Sequence, residues 1–465
     1  MDLDRLNYHF SNLDNFNNVH KYETIAYLSA QVKPDYSMFS FSTVTNNDVI
    51  KHVFAITSDA TGGDGISRKM ITLVLNKSGF RSGHSTVTAL TKVLDDIRYG
   101  LDRRHIIALL DFSNAFNTVD FDILLAILDS LNISPDVVEW FRTYLYGRQQ
   151  RVHAHGDRFS SYCCLSAGVP QGSVLWPLLF SVFINTVTNR LSVPFHLYAD
   201  DLQIYLTTPV ENIADSQLCT ISTPKQLCKV DNIDLHDVIF DGMTLPNNSV
   251  IKNLGVLMDA SFTWRPWVAE ISRKIFATIH SLQRMKNFLP TKTKILLANC
   301  LLLAILDYAD ACYPDLSEEL INKLERLQNI CIRFIFGLNK FDRISEYRST
   351  LRWLTIKDRR NLHDLSLLYS ILFHPCTPPY LKERFTFLGS DSTLQLYLRS
   401  QSDNKLSLPI YHSKIDANSF TAKAVRLWNT LPSDIRQYSS ISIFKIRAKN
   451  YYLCLYFLHT SSVHS

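Results

Sequence analysis

Two alternating apolar runs, Phe195-His196-Leu197-Tyr198 and Leu202-Gln203-Ile204-Tyr205-Leu206, are separated by Ala199-Asp200-Asp201. Period-2 patterning on both sides of a short polar break predicts a β-hairpin with two aspartates at or beside its tip. Adjacent like charges repel, so a cation or a basic group is expected to accompany them. An ordinary solvated turn is the competing reading of the same residues. A third aspartate, Asp111, sits near the end of the continuous apolar run 106–112. The length and β-branched start of that run predict a buried strand. If the two strands are neighbours, three carboxylates converge on rigid backbone. Hard divalent cations prefer carboxylate oxygens. Two of them about 4 Å apart activate a hydroxyl nucleophile and stabilise a leaving phosphate. Asp111 and Asp200 are therefore expected to approach each other.

The 465 residues suffice for about three domains. Hydrophobic residues make up 46% and charged residues 20%, which excludes a disordered chain. Residues 1–50 are rich in Asn, Ser, Asp and Tyr with weak periodicity and read as a leader or linker. Helices are predicted at 47–56, 67–74, 85–97, 121–131, 135–146 and 173–187, the last apolar nearly all round and therefore buried. A strand pair fits 149–162, and another turn or strand begins at Gly255. After Ser261 the chain turns helical and basic. Within 318–338, Leu320, Leu324, Leu327, Cys331 and Phe334 form one apolar stripe, with Lys323, Arg326 and Arg333 off it.

Charge is unevenly spread. Residues 1–264 hold 20 Lys+Arg against 27 Asp+Glu, and residues 265–465 hold 28 against 16. Such a chain could hold cations with its first part and a polyanion with its second, and a solvated charged surface is the competing explanation. The first ten residues carry aspartates and no apolar core, so no signal peptide is expected. The run 295–306, twelve residues, is too short to span a bilayer and predicts a buried helix. The nine cysteines form no C-x-x-C pair and read as buried thiols in a reducing compartment. An intracellular protein of the cytoplasm or nucleus, without membrane contact, is the expectation.

The local words sharpen this. Tyr198-Ala199-Asp200-Asp201 resembles the Tyr-x-Asp-Asp motif of reverse transcriptases. The stretch Leu109-Leu110-Asp111-Phe112-Ser113-Asn114-Ala115-Phe116 looks like their strand-to-helix metal motif. Ala167-Gly168-Val169-Pro170-Gln171-Gly172-Ser173 is similar to their Pro-Gln-Gly substrate loop. Ser78-Gly79-Phe80-Arg81-Ser82-Gly83-His84 and Thr61-Gly62-Gly63-Asp64-Gly65-Ile66 resemble fingers segments of the non-LTR (LINE-type) retrotransposon branch. Asn253-Leu254-Gly255-Val256-Leu257 looks like its primer-grip region. Leu327-Gln328-Asn329 with Arg333, and Leu427-Trp428-Asn429-Thr430-Leu431-Pro432, look like the tail of Jockey-like elements.

This resemblance, to a truncated reverse transcriptase of a Jockey-like non-LTR retrotransposon, implies an α+β fold. A right-hand polymerase palm with shortened fingers would occupy 51–260, after a leader or linker of residues 1–50. A helical, basic thumb-like region would follow at 261–350, and a C-terminal region of retroelement type at 351–465. The implied activity is RNA-directed DNA polymerisation with an RNA template, a DNA primer and deoxynucleotides. Two Mg²⁺ ions, or Mn²⁺ in their place, would be the cofactors. Asp111 and Asp200 would ligate the metals, with Asp201 as the supporting carboxylate and Tyr198 in the same substrate site. Phe116 would be the aromatic gate beneath the incoming sugar, with a core phenylalanine at a helix start as the competing reading. Gln171 would lie against the nucleotide or template backbone, and Gly172 would allow close approach. Arg81 would contact nucleic acid or form a surface ion pair. Lys323, Arg326 and Arg333 would track phosphates.

Four departures bear on activity. Ile66 and Gly79 are only 13 positions apart, so most of the family's basic fingers block is absent. Trp176 stands where the family usually has glycine, adding volume at a helix start. Residues 210–238 lack a trusted counterpart of the family's lysine near the pyrophosphate. Too few residues precede the fingers for an upstream endonuclease. A catalytically impaired nucleic-acid-binding remnant is therefore the alternative expectation, and an RNA-templated RNA polymerase is disfavoured by Phe116.

Overall fold

Apolar spacing and short polar breaks divide the chain into helices and brief strands. In order these are α1 (Asn18–Ser29), α2 (Thr86–Asp102), β1 (His105–Leu110), α3 (Phe121–Ser130) and α4 (Pro135–Leu145). Four two-residue strands follow, β2 (Gln149–Gln150), β3 (His153–Ala154), β4 (Arg158–Phe159) and β5 (Cys163–Cys164), then α5 (Trp176–Thr188). Next come β6 (Phe195–Tyr198), β7 (Asp201–Pro209), β8 (Ile239–Phe240), β9 (Met243–Thr244), β10 (Val250–Asn253) and β11 (Val256–Asp259). The remainder is helical: α6 (Arg265–Gln283), α7 (Thr291–Leu297), α8 (Ala304–Asp307), α9 (Glu318–Phe336), α10 (Ser345–Leu351), α11 (Ile356–Phe373), α12 (Phe420–Thr430) and α13 (Ile441–Ser462), with short turns between. The fold is mixed α and β.

The computed structural model describes residues 2–5, 18–31, 33, 38–40, 83–102, 105–110, 119–154, 158–165, 167–168, 175–188, 195–198, 201–209, 239–240, 243–244, 250–259, 261–388, 404–411 and 413–462. The helices expected at 47–56 and 67–74 lie outside the described residues. Two compact units divide the chain, one from 1–77 and 112–203, the other from 78–111 and 204–465.

In the first unit, α1 packs on α3, and Leu28 is buried there. Part of the segment read as a leader is thus an ordered helix. Among its described side chains Leu28 is the buried apolar one, in keeping with the weak sequence signal. Phe39 pairs with Ile133 through backbone N–H and C=O groups. Helix α3 starts where Asp120 accepts from the backbone N–H groups of Asp122 (2.9 Å) and Ile123 (3.1 Å), an N-cap that satisfies two otherwise orphaned donors. Phe121, Leu124, Leu125 and Leu128 form its buried face. In α5, Leu179, Phe180, Val182 and Ile184 are buried, so the expected buried helix is present.

In the second unit, β1 runs antiparallel to β7, with His105 opposite Pro209 and Leu110 opposite Ile204. The hairpin β10–β11 turns at Leu254 (φ 42°) and Gly255 (φ 85°), the paired positive φ values of a two-residue turn. A Cβ at Gly255 would meet the Tyr308 hydroxyl at 3.3 Å, and that hydroxyl donates to the Leu254 carbonyl at 2.7 Å.

Helical spacing then builds the core. Trp267, Val268, Ile271, Ile275 and Ile279 of α6 pack with Leu90, Val93, Leu94 and Ile97 of α2 in one cluster. The α9 stripe of Leu320, Leu324, Leu327, Cys331 and Phe334 is buried in the same cluster, as its spacing predicts. A second cluster joins Leu365, Leu368 and Tyr369 of α11 to Phe420, Val425 and Trp428 of α12 and Phe444 of α13.

Two expectations need correction. The helical run around 295–306 extends over Thr291–Cys312, 22 residues containing an 18-residue window of mean hydropathy 1.8, which is long and apolar enough to cross a bilayer by length and composition alone. Its Ala298, Leu302, Leu303 and Leu306 are buried in the first core cluster, whereas Leu296 and Leu301 are exposed. The cysteines are also not uniformly buried. Cys312 and Cys331 are, and burial pushes each thiol up to about 12. Cys164, Cys300, Cys376 and Cys454 are exposed.

Candidate functional site

Three pieces of the sequence-nominated site fall on described backbone. Tyr198 closes β6 and Asp201 opens β7, so two strands flank positions 199 and 200 in sequence, although β6 buries two adjacent residues and does not alternate. Tyr198 is half-buried, between inward-facing strand neighbours and the turn. His196, Leu197 and Gln203 are buried, which anchors both arms of the hairpin. In the second unit, β1 ends at Leu110, opposite Ile204 of β7. Asp111 is the next residue in sequence. Asp111, Asp200, Phe116, Gln171, Gly172 and Arg81 lie outside the described residues, and of Asp201 only the backbone is described.

The stem of the Pro-Gln-Gly loop meets the end of the strand-to-helix motif. Asp120 bridges Ala167 antiparallel, and the Gly168 N–H donates to the Val119 carbonyl at 2.8 Å. Two sequence words 47 residues apart, at 120 and 167, are thereby joined beside the N-terminus of α3. An ionic knot holds the same place. Lys21 Nζ lies 2.9 Å from Asp120 Oδ2 and 2.7 Å from Asp122 Oδ2, and the Tyr146 hydroxyl donates to Asp122. Burial would raise the Asp122 carboxyl, but Lys21 and Tyr146 outweigh it and hold that carboxyl below its ordinary value. Burial, then the Asp122 charge, push the Tyr146 phenol up to about 12. The two aspartates raise Lys21 above its usual value against its own desolvation.

On α9, Arg326 and Arg333 lie seven residues apart, about two turns along one line of the helix. Arg326 is exposed, while Lys323 borders the apolar stripe and is half-buried. Arg333 has a structural task as well. Its Nε donates to the Asn339 carbonyl at 3.1 Å, and its own carbonyl accepts from Gly337 N–H, where the helix ends with φ 72°. Glu319, one turn before Lys323, is engaged by Arg265, with Nη2 2.7 Å from Oε2.

Sequence reasoning missed one constellation. Asp307, Asp310 and His363 each offer a ligand atom, all within 4.8 Å of one another. Two carboxylates and an imidazole are donors a divalent cation accepts, so this is a candidate cation site. His363 Nδ1 and Asp310 Oδ2 are 2.6 Å apart, and Arg359 Nε donates to Asp307 Oδ1 at 2.6 Å. A cation there would compete with the Arg359 guanidinium. Burial lowers the His363 pKa, but Asp310 more than compensates, so the imidazole is raised above its ordinary value. The spacing Asp307-x-x-Asp310 was visible in the sequence, but His363 lies 53 residues beyond Asp310 and carries no local signal.

A family model described as reverse transcriptase (RNA-dependent DNA polymerase) matches residues 66–230. The chain is 26% identical over 312 residues to the "RNA-directed DNA polymerase from mobile element jockey" of Drosophila funebris, covering 60% of this chain and 34% of the relative. It is 24% identical over 314 residues to the "Probable RNA-directed DNA polymerase from transposon X-element" of Drosophila melanogaster, covering 61% and 34%. The "Probable RNA-directed DNA polymerase from transposon BS" of the same species is 25% identical over 323 residues, covering 61% and 35%. The chain thus resembles the polymerase portion of these mobile elements and spans about a third of the length of each of those relatives.

Proposed function

We propose that this chain, resembling the polymerase portion of jockey-type elements, is an RNA-directed DNA polymerase that adds deoxynucleotides to a DNA primer on an RNA template. The observation that carries the reading is the ordered set of motif words. Its support is the β6–β7 hairpin around Ala199-Asp200, with β7 antiparallel to the strand that runs into Asp111. Residues 51–260 are read as palm with shortened fingers, 261–350 as thumb-like and 351–465 as a retroelement C-terminal region.

Asp111, Asp200 and Asp201 form an all-carboxylate donor set, which suits hard divalent cations. When bound, a Mg²⁺ pair would supply charge neutralisation at the reacting phosphate. The primer 3′-hydroxyl attacks the α-phosphate in line, and pyrophosphate leaves. Phe116 excludes a ribose 2′-hydroxyl by bulk. Gln171 and Gly172 line the nucleotide, and Tyr198 flanks the carboxylates. Arg81, Lys323, Arg326 and Arg333 contact phosphates. The short Ile66–Gly79 interval removes basic residues that would grip the triphosphate. Loss of one preorganised donor costs ~10²–10³ in rate, so turnover is slow. The test is primer extension on an RNA template with deoxynucleotides and Mg²⁺. Slow incorporation that disappears on Asp200→Asn supports the reading, and incorporation unchanged by Asp200→Asn overturns it.

A further inference from the structure

The segment 149–164 folds as a hairpin whose outward face is aromatic. Gln149 pairs with Cys164, and His153 pairs with Phe159. Four steps on one strand therefore oppose five on the other, which is the count of a β-bulge. Along the first strand, Gln149, Arg151 and His153 are exposed while Gln150, Val152 and Ala154 are half-buried. The extra residue in the second strand brings Phe159 and Tyr162, three apart, to the same outward face as Arg151.

On that face the planar groups stack. The His153 and Phe159 rings are 4.4 Å apart and 11° from parallel. The Arg151 guanidinium carbon lies 3.9 Å from the Phe159 ring centroid and 4.9 Å from that of Tyr162. Phe159 is nevertheless 44% exposed and Tyr162 60% exposed. A second stack precedes the hairpin, where Arg148 sits 4.2 Å from the Tyr144 ring centroid and Trp140 stacks on Tyr144 at 5.6 Å and 8°. Residues 140–164 contain four arginines against one acidic residue, Asp157, and of the four Arg142 is paired with Glu139 at 3.2 Å. Asp4, the carboxylate bound to this hairpin, accepts from the Ser161 backbone N–H at 2.6 Å.

We propose that this hairpin face docks an unpaired nucleic-acid strand, whose bases extend the stack at Tyr162 and whose phosphates meet the arginines. An apolar protein or lipid surface would desolvate the arginines without pairing them. A duplex hides the faces of its bases. An unpaired strand offers both π faces and regularly spaced negative charge, the chemistry that stacking platforms with interleaved arginines recognise. Base stacking and phosphate contact are common to every sequence and to both sugars, so binding by this face is tolerant of sequence and of sugar. The inference stands on the hairpin alone and holds whether or not the chain extends primers.

The test is fluorescence anisotropy with the full chain, using labelled twelve-nucleotide oligo(U) and oligo(dT) and a twelve-base-pair duplex. Salt of about 0.3 M suppresses binding that is purely ionic. Tyr162→Ala is expected to weaken both single strands by about five- to hundred-fold and leave duplex binding unchanged. Tyr162→Phe should restore wild-type affinity, because the stacking face remains. Wild-type affinity in Tyr162→Ala, or equal weakening for duplex, would overturn the proposal. A measurement on the unmodified chain guards against a variant that fails to fold. A 4-thiouridine oligonucleotide should photocrosslink within residues 151–162, and crosslinks found exclusively elsewhere contradict the docking surface.

Discussion

Asp95, on α2, holds the N-terminus of α12. It is 3% exposed, yet its hydrogen-bond donors lie more than 300 residues away. It accepts from the backbone N–H groups of Phe420 (3.0 Å) and Thr421 (3.1 Å) and from the Thr421 hydroxyl (2.7 Å). Arg384 and Arg98 stand 3.6 and 3.8 Å away. Ser419 Oγ accepts from the Ala422 N–H at 3.2 Å, so the first three donors of α12 are satisfied by two side chains. Ser419→Ala removes one capping bond and should cost about 1 kcal/mol. Asp95→Ala removes three bonds and leaves the Phe420 and Thr421 donors unpaired at about 1–3 kcal/mol each, while Arg98 and Arg384 keep Asp315 and Asp96, so it should cost about 3–5 kcal/mol. Urea denaturation measures the global loss. Amide hydrogen exchange at Phe420 and Thr421 measures the local one, and at 1.4 kcal/mol per decade it should accelerate by about two to three and a half decades. If Asp95→Ala matches Ser419→Ala in midpoint and in exchange at these two amides, the carboxylate is not the device that holds α12.

Three further outcomes are expected. Because Asp122 is held below its ordinary value when folded, its stabilisation is complete above the usual carboxylate pKa of about 4 and disappears as pH falls through the folded value. Asp122→Asn should flatten the acid limb of a plot of urea midpoint against pH. Lys323→Gln with Arg326→Gln should reduce the slope of log affinity against log salt for single-stranded RNA by about 1.4, and an unchanged slope would remove both from the phosphate contacts. Leu324 is 1% exposed in the α9 stripe, so Leu324→Ala should cost about 2–5 kcal/mol in denaturant unfolding.

What the sequence made legible was local. The apolar stripe of α9 and the Leu90–Ile97 face of α2 each repeat with the period of the element they form, and the strands flanking positions 199 and 200 are present, although β6 buries two adjacent residues. The bond between Asp95 and α12, the Asp307–Asp310–His363 group and the aromatic face of 149–164 were not legible. The first two join residues 325 and 53 positions apart, where no local pattern links the partners. The third depends on a one-residue bulge, which shifts the period by one and puts Tyr162 on a face that strict alternation denies it. Helix α1 carries little periodic signal: among its described side chains Leu28 is the buried apolar one, and Lys21 holds it by charge.

Nucleotide transfer by this chain would require the carboxylates of Asp111 and Asp200. Single-nucleotide incorporation into a DNA primer on an RNA template, followed over hours with enzyme in excess, tests this directly. The unmodified chain should add a deoxynucleotide slowly in the presence of Mg²⁺, and both Asp200→Asn and Asp111→Asn should stop it. Incorporation by either variant at the unmodified rate, or none by the unmodified chain above the level of Asp200→Asn, would contradict it.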